Sequence, residues 1–231
     1  MTYVLLVRHG QNEWVKEKRL AGWLPNVHLN DEGKKQAEQV ANRLSHLPIT
    51  AIYSSPVARC LETAAYIGRV LQQEVQEVAA VGEVRYGEWE GAEIEKLAKE
   101  KAWYAVQHYP SRFRFPEGEA LREVQARAVA ALERLGEKHE KQEMVVVVSH
   151  ADLIKLVLAH YLGIHIDLFQ RVVISPASVS VLALFDNGMV RVIRVNDDGP
   201  LQPPPEEKKE AEEAEDSNRA ERNAPDNGAS H

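Results

Sequence analysis

The chain has 231 residues, 44% apolar and 27% charged, enough to bury one substantial core with a tail or a small appendage. Its single cysteine, Cys60, excludes an intramolecular disulfide and a cysteine cage for a metal, and no apolar stretch approaches the roughly 20 residues that span a bilayer. The net charge of −7 gathers at the C-terminus, because residues 197–231 hold eleven acids and four bases while residues 1–196 hold 24 of each; the folded part has no basic field of the kind nucleic-acid binding needs.

Tyr3-Val4-Leu5-Leu6-Val7 opens the chain with the length and β-branched, aromatic character of a buried strand, predicted over 3–8, and Gly10 stops it. No basic region precedes this strand, so no signal peptide is expected and a cytoplasmic address is the default. A helix follows over 31–46, with Asn30 as its N-cap and Val40, Leu44 and Leu47 on one face. A strand over 51–54 ends at Ser54-Ser55-Pro56 and leads into a helix over 57–73. A weaker strand pattern lies near 75–79. Helices are predicted over 92–107 and 117–139. Met144-Val145-Val146-Val147-Val148 is apolar at every position, as a strand covered on both faces should be, and gives a strand over 144–149. A helix over 151–162 follows. Strands over 179–185 and 189–195 are joined by the turn signal Phe185-Asp186-Asn187-Gly188-Met189. The alternation predicts an α/β domain over residues 1–196, a three-layer sandwich on a mainly parallel sheet with one antiparallel strand. From residue 197 to 231, the run Pro203-Pro204-Pro205 and the Glu- and Lys-rich stretch behind it predict a disordered acidic tail.

In open α/β sheets, ligands bind beyond the carboxyl ends of the strands. Three predicted strands end in reactive residues: Arg8-His9-Gly10, Ser54-Ser55-Pro56 with Arg59 a turn later, and Ser149-His150-Ala151. A neutral imidazole is nucleophilic near pH 7, and a guanidinium fork fits the oxygens of a phosphate or carboxylate. Two histidines and two arginines on one sheet edge fit a phosphoryl group, whose charge imidazoles, guanidinium forks and helix N-terminal amides meet together. A carboxylic acid from Glu83-Val84-Arg85-Tyr86-Gly87-Glu88-Trp89-Glu90-Gly91 can protonate a leaving alcohol and then deprotonate water. Composition alone does not separate Glu83 from Glu88 or Glu90.

Leu6-Val7-Arg8-His9-Gly10-Gln11, Ser55-Pro56-Val57-Ala58-Arg59-Cys60-Leu61-Glu62-Thr63-Ala64, the Glu83–Gly91 segment and Val148-Ser149-His150-Ala151 resemble the motifs of the histidine phosphatase (phosphoglycerate mutase-like) superfamily. They match in content, order and strand-end placement over about residues 2–195. The resemblance implies that His9 attacks phosphorus and becomes a phosphohistidine. It implies that Arg8, Arg59 and His150 hold the phosphoryl oxygens and that Glu83 is the proton donor, then the base for water. It implies no metal and no cofactor, and the sequence has no His-Glu-x-x-His pair, P-loop or paired-aspartate cluster. Relatives often read Thr-x-x-Asn after the first motif; here Val15 stands at the asparagine, and Asn12 is the candidate substitute. Ala151 stands where glycine is common, with its backbone amide still able to serve. Ala120 replaces a usual serine.

A small phosphorylated metabolite is the expected partner, with neither nucleic acid nor membrane. Hydrolysis is favoured over mutase chemistry because only 67 positions separate Glu83 from His150 and because Ile94 stands where the mutases resemble one another in a lysine. A phosphoglycerate mutase-type phosphotransferase and a non-catalytic phosphate-binding regulatory module are the alternatives. Arg85, Arg112 and Arg114 either face the pocket, favouring an acidic phosphomonoester, or are solvated on a capping segment. Trp14, Trp23, Trp89 and Trp103 either line the entrance or belong to the core. Cys60 reads as a buried small hydrophobe, and His160 and His165 have no third partner at metal-ligand spacing.

Overall fold

A computed structural model describes residues 1–199; from Pro200 onward the predicted acidic tail lies outside the described residues. Strands β1 (Thr2–Arg8), β2 (Ile49–Ser54), β3 (Val75–Glu77), β4 (Met144–Ser149), β5 (Val179–Leu184) and β6 (Val190–Asp197) form one sheet ordered β3-β2-β4-β1-β5-β6. β1 runs parallel to β4, β4 to β2 and β2 to β3, while β5 lies antiparallel to both β1 and β6. One strand, β5, therefore opposes the other five, as the hairpin signal implied. β1 and β4 pair from Tyr3↔Met144 to Arg8↔Ser149. The residue after each strand end, His9 and His150, consequently emerges at the same edge, and the His9 amide donates to the Ser149 carbonyl at 2.9 Å.

Helices α1 (Glu13–Lys16), α2 (Asp31–Leu44), α3 (Ala58–Leu71), α4 (Ile94–Leu97), α5 (Lys101–His108), α6 (Leu121–Lys138) and α7 (Ala151–Tyr161) complete the fold. The two-residue period of the strands sorts the core into two layers. Leu5, Val7, Val146 and Val148 pack with Val40, Leu44, Cys60 and Ile67 of α2 and α3. Val4, Leu6, Val145 and Val147 pack with Leu132, Leu153 and Leu156 of α6 and α7. Each fully buried leucine contributes about 1.5–3 kcal/mol relative to exposure.

The Asn30 side chain accepts from the Gly33 amide at 2.8 Å and starts α2 as predicted. The expected 92–107 helix is instead two short ones. Leu97 and Val106 are both buried, yet nine positions of a continuous helix would turn them roughly 180° apart; the break at residues 98–100 lets both face inward. The 117–139 helix starts late, at Leu121, because Glu117 is left-handed at φ 52° and Arg114 bridges Ala120. Ala120 supplies no capping oxygen, so only half of a capping box forms: the Glu123 carboxylate accepts from the Ala120 amide at 3.1 Å. β6 runs one residue beyond the expected domain edge, through Asp197, whose carboxylate meets Arg43 and Arg194. No helix among the described residues is long and apolar enough to cross a membrane.

Candidate active site

The ends of β1, β2 and β4 open into a cleft of about 360 Å³ lined by Arg8, His9, Asn12, Arg59, Glu83 and Ala151, together with residues of the 15–21, 170–174 and α7 segments. His9 sits beside Gly10, whose backbone lies against the first turn of α2. A Cβ on Gly10 would approach the Gly33 carbonyl oxygen to 2.4 Å, and one on Gly33 would approach the Gln11 oxygen to 1.9 Å. Both positions need glycine for this close packing.

The His9 Nδ1 lies 2.7 Å from the Gly10 carbonyl oxygen. A carbonyl only accepts, so the proton is on Nδ1 and Nε2 keeps its lone pair. Arg59 Nε donates to that Nε2 at 3.2 Å. Burial, then the cations Arg59 and Arg8, hold the His9 imidazole well below its ordinary value, so it is neutral and nucleophilic at neutral pH. His150 stands at the N-cap position of α7 without a side-chain capping bond and is held neutral by burial and by Arg59. Its Nδ1 accepts from Arg59 Nη2 at 3.1 Å, and its Nε2–H donates to Ser55 Oγ at 2.8 Å. The two imidazoles stand edge to face, 5.2 Å between centroids. Cys60 is buried, its thiol pushed up to about 12 by desolvation, and behaves as the expected small hydrophobe.

Arg59, 1% exposed, also donates to the Gly22 carbonyl at 2.9 Å, and Arg8 donates to the Ile174 carbonyl at 2.7 Å. Three donor atoms of cleft-lining side chains nevertheless stay buried without a partner: Arg8 Nε, Asn12 Nδ2 and Arg59 Nη1. Each orphaned donor costs about 1–3 kcal/mol, and a ligand rich in acceptor oxygens removes that cost. Asn12 takes its place by local geometry: its Oδ1 accepts from the Val15 amide at 2.9 Å, capping α1 and leaving the Nδ2 donors free. Ala151 opens α7, whose first-turn amides lack helical partners.

Glu83, 8% exposed, is fixed through its backbone: its carbonyl accepts from Trp23 Nε1 at 2.7 Å and from Arg127 Nη2 at 2.8 Å. Its carboxylate lies 3.8 Å from Arg59 Nη2 and 3.5 Å from His150 Nδ1. Desolvation and the Asp152 charge outweigh Arg59, the Val84 amide and Arg8, and the carboxyl is raised to about 7. Glu88 and Glu90 do not line the cleft, which separates the three candidates that composition left equal.

A family model described as histidine phosphatase superfamily (branch 1) matches residues 4–198. The chain belongs to this superfamily. Phosphoserine phosphatase 1 of Hydrogenobacter thermophilus is 31% identical over 201 residues, 85% of this chain and 92% of that protein. Phosphoglycerate mutase-like protein 4 of Arabidopsis thaliana is 35% identical over 157 residues, 66% of this chain and 67% of that protein. The solved structure of Bacillus stearothermophilus YhfR matches with a TM-score of 0.79 at 26% identity, covering 85% of this chain and 98% of that one. The chain thus has the phosphoglycerate mutase-like fold that its motifs implied, built on the mainly parallel sheet that its strand pattern predicted.

All seven sequence-derived site residues, His9, Glu83, His150, Arg8, Arg59, Asn12 and Ala151, come together: six line the cleft and His150 is hydrogen-bonded to Arg59 at its wall. Arg85, Arg112 and Arg114 stay outside it. Arg85 stacks 4.0 Å over Trp23, Arg112 is exposed in a 3-10 turn, and Arg114 pairs with Glu123. The tryptophans do not line the entrance either. Trp89 packs with Trp103, Phe113 and Phe115, Trp14 lies under Arg19, and Trp23 anchors Glu83. His160 and His165 are exposed, and no cluster of metal-ligating side chains occurs among the described residues. Sequence reasoning missed Ser55 as the partner of His150, and Asp152, Lys155 and Gln170 as cleft residues. Asp152 did carry one signal, its place in the first turn after His150.

Proposed function

We propose that this protein hydrolyses a small phosphomonoester through a phosphohistidine on His9, with water as the final acceptor. The observation that carries the reading is the convergence of a neutral Nε2 lone pair with three unpartnered buried donors, from Arg8, Asn12 and Arg59, in one cleft. His9 Nε2 attacks phosphorus as the bond to the ester oxygen breaks. Glu83, protonated up to about pH 7, gives its proton to the leaving alkoxide. The Glu83 carboxylate then takes a proton from water, the hydroxide attacks phosphorus, and the N–P bond breaks to release phosphate and restore neutral His9. Arg8, Arg59, Asn12 and the Ala151 amide stabilise the charge on the phosphoryl oxygens in both steps, and His150 holds the Arg59 guanidinium in place through its Nδ1.

The cleft volume suits a small metabolite. Its outer part joins an apolar wall of Val15, Ile94, Val172 and Val173 to the Asp152–Lys155 pair, and phosphoserine and 3-phosphoglycerate are the first substrates to try. Ile94 in the cleft, where the mutases resemble one another in a lysine, favours water over a second substrate as acceptor. A cytoplasmic location fits a metabolite phosphatase whose lone cysteine is buried.

The test is a phosphomonoester screen with EDTA present, comparing the wild-type protein with His9→Ala. EDTA-resistant turnover that the substitution abolishes supports the reading; full activity in His9→Ala refutes it. Incubating 3-phosphoglycerate with a 2,3-bisphosphoglycerate primer separates phosphate release from isomerisation.

A further inference from the structure

Asp152 sits in the first turn of α7, two residues after His150, and lines the cleft. Its Oδ2 accepts from the Tyr86 hydroxyl at 2.9 Å, and its Oδ1 lies 3.2 Å from Lys155 Nζ. Lys155 in turn donates to Gln170 Oε1 at 3.0 Å. Tyr86 is buried against Phe115 and belongs to the same irregular segment as Glu83. Its hydroxyl is held well above its ordinary value by burial and by Asp152, so it stays a donor across the working pH range. A carboxylate at the edge of a phosphate cleft opposes an anionic substrate, so its presence there calls for another role.

We propose that Asp152 is a positioning residue for the Glu83 proton: it latches the Glu83–Tyr86 segment to α7 and sets the charge that the Glu83 carboxyl faces. This rests on Glu83 being the proton donor. The groups around Glu83 come from every packed element: Arg8 from β1, Arg59 and Cys60 from α3, Tyr86 from its own segment, His150 and Asp152 at the start of α7, and Arg127 of α6 on its carbonyl. Among the described residues Asp152 is the neighbouring carboxylate that raises it, against Arg59 and Arg8, which lower it. Lys155, 3.2 Å from Asp152 Oδ1, is the counter-charge to that carboxylate. The sign then follows. Removing the Asp152 charge lowers the pH at which Glu83 loses its proton, and removing Lys155 raises it.

The experiment is the pH dependence of kcat/KM on an alkyl phosphate, which needs the proton, and on a nitrophenyl phosphate, which needs it least. Asp152→Asn keeps an acceptor for Tyr86 and moves the alkaline limb of the alkyl ester down by about one pH unit. Lys155→Gln moves it up. Tyr86→Phe keeps the charge but cuts the latch, and slows kcat on the alkyl ester several-fold more than on the nitrophenyl ester. Opposite shifts in the two charge variants are not produced by general loss of packing. If the limb disappears in Glu83→Gln but stays in place in both charge variants, Asp152 has no such role while Glu83 remains the donor. If the limb persists unchanged in Glu83→Gln, the proton is not on Glu83 and both assignments fall.

Discussion

Replacing Glu83 by Gln should make the protein more stable at alkaline pH while removing its proton donor. The Glu83 carboxyl is raised from 4.5 to about 7 in the fold, so the folded state holds a proton that the unfolded chain releases. A raised value contributes stability that is complete below pH 4.5, declines as pH rises toward 7, and is gone above it. The shift of roughly two and a half units, at 1.36 kcal/mol each, corresponds to about 3 kcal/mol. Glu83→Gln has no such dependence and nearly the same shape, and its amide can still accept from the Val84 backbone N–H that meets Glu83 Oε1 at 3.0 Å. Urea unfolding of both proteins at pH 5 and pH 8.5 measures the effect. Because His9, His150 and the surface carboxylates are common to both chains, the difference between the two proteins isolates Glu83. Since pH 5 already lies above the unfolded value, the wild type should lose about 2.5 kcal/mol relative to the variant between the two conditions. Parallel stability curves would refute the claim that the fold holds this carboxyl protonated.

Glu83→Gln should also slow an alkyl phosphate far more than a nitrophenyl phosphate, read from kcat on each; equal slowing removes Glu83 as donor. Arg127→Met deletes donors to the Ala80, Gly82 and Glu83 carbonyls and the two bonds to Glu119. With both side chains about one-fifth exposed, urea titration should show a loss of about 2–3 kcal/mol, and kcat should fall because Glu83 loses its anchor. Gly33→Ala drives a methyl into the Gln11 carbonyl and should destabilise by about 1–3 kcal/mol. Its kcat should fall further than that of Ala37→Gly on the same helix, because the strain falls beside His9.

Where backbone registers decide position, residues and structure agree closely. The apolar runs that become β1 and β4 end at Arg8 and Ser149, and parallel pairing in register then forces His9 and His150 together. Arg59 follows from the turn after β2 in the same way. Disagreement begins where long side chains choose among partners far apart in sequence. Arg85, Arg112 and Arg114 carry the right charge for the cleft, yet Trp23 and Glu123 claim two of them. The Tyr86–Asp152 bond joins residues 66 positions apart and leaves no periodic trace. The split of the 92–107 helix has a sequence trace in retrospect, because Leu97 and Val106 cannot share one helical face. Asn12 was legible as a substitute for the absent asparagine, but the reason, that its Oδ1 caps α1 while Nδ2 stays free, is a matter of geometry alone.

The central claim is that phosphorus bonds to His9 during turnover. Rapid acid-free quenching with radiolabelled phosphomonoester, followed by peptide mapping, tests it directly. The account predicts label on the peptide containing His9, stable to base, labile to acid, and lost in His9→Ala. A turnover-competent enzyme whose quenched protein never carries label, or carries it on a residue other than His9, would contradict it.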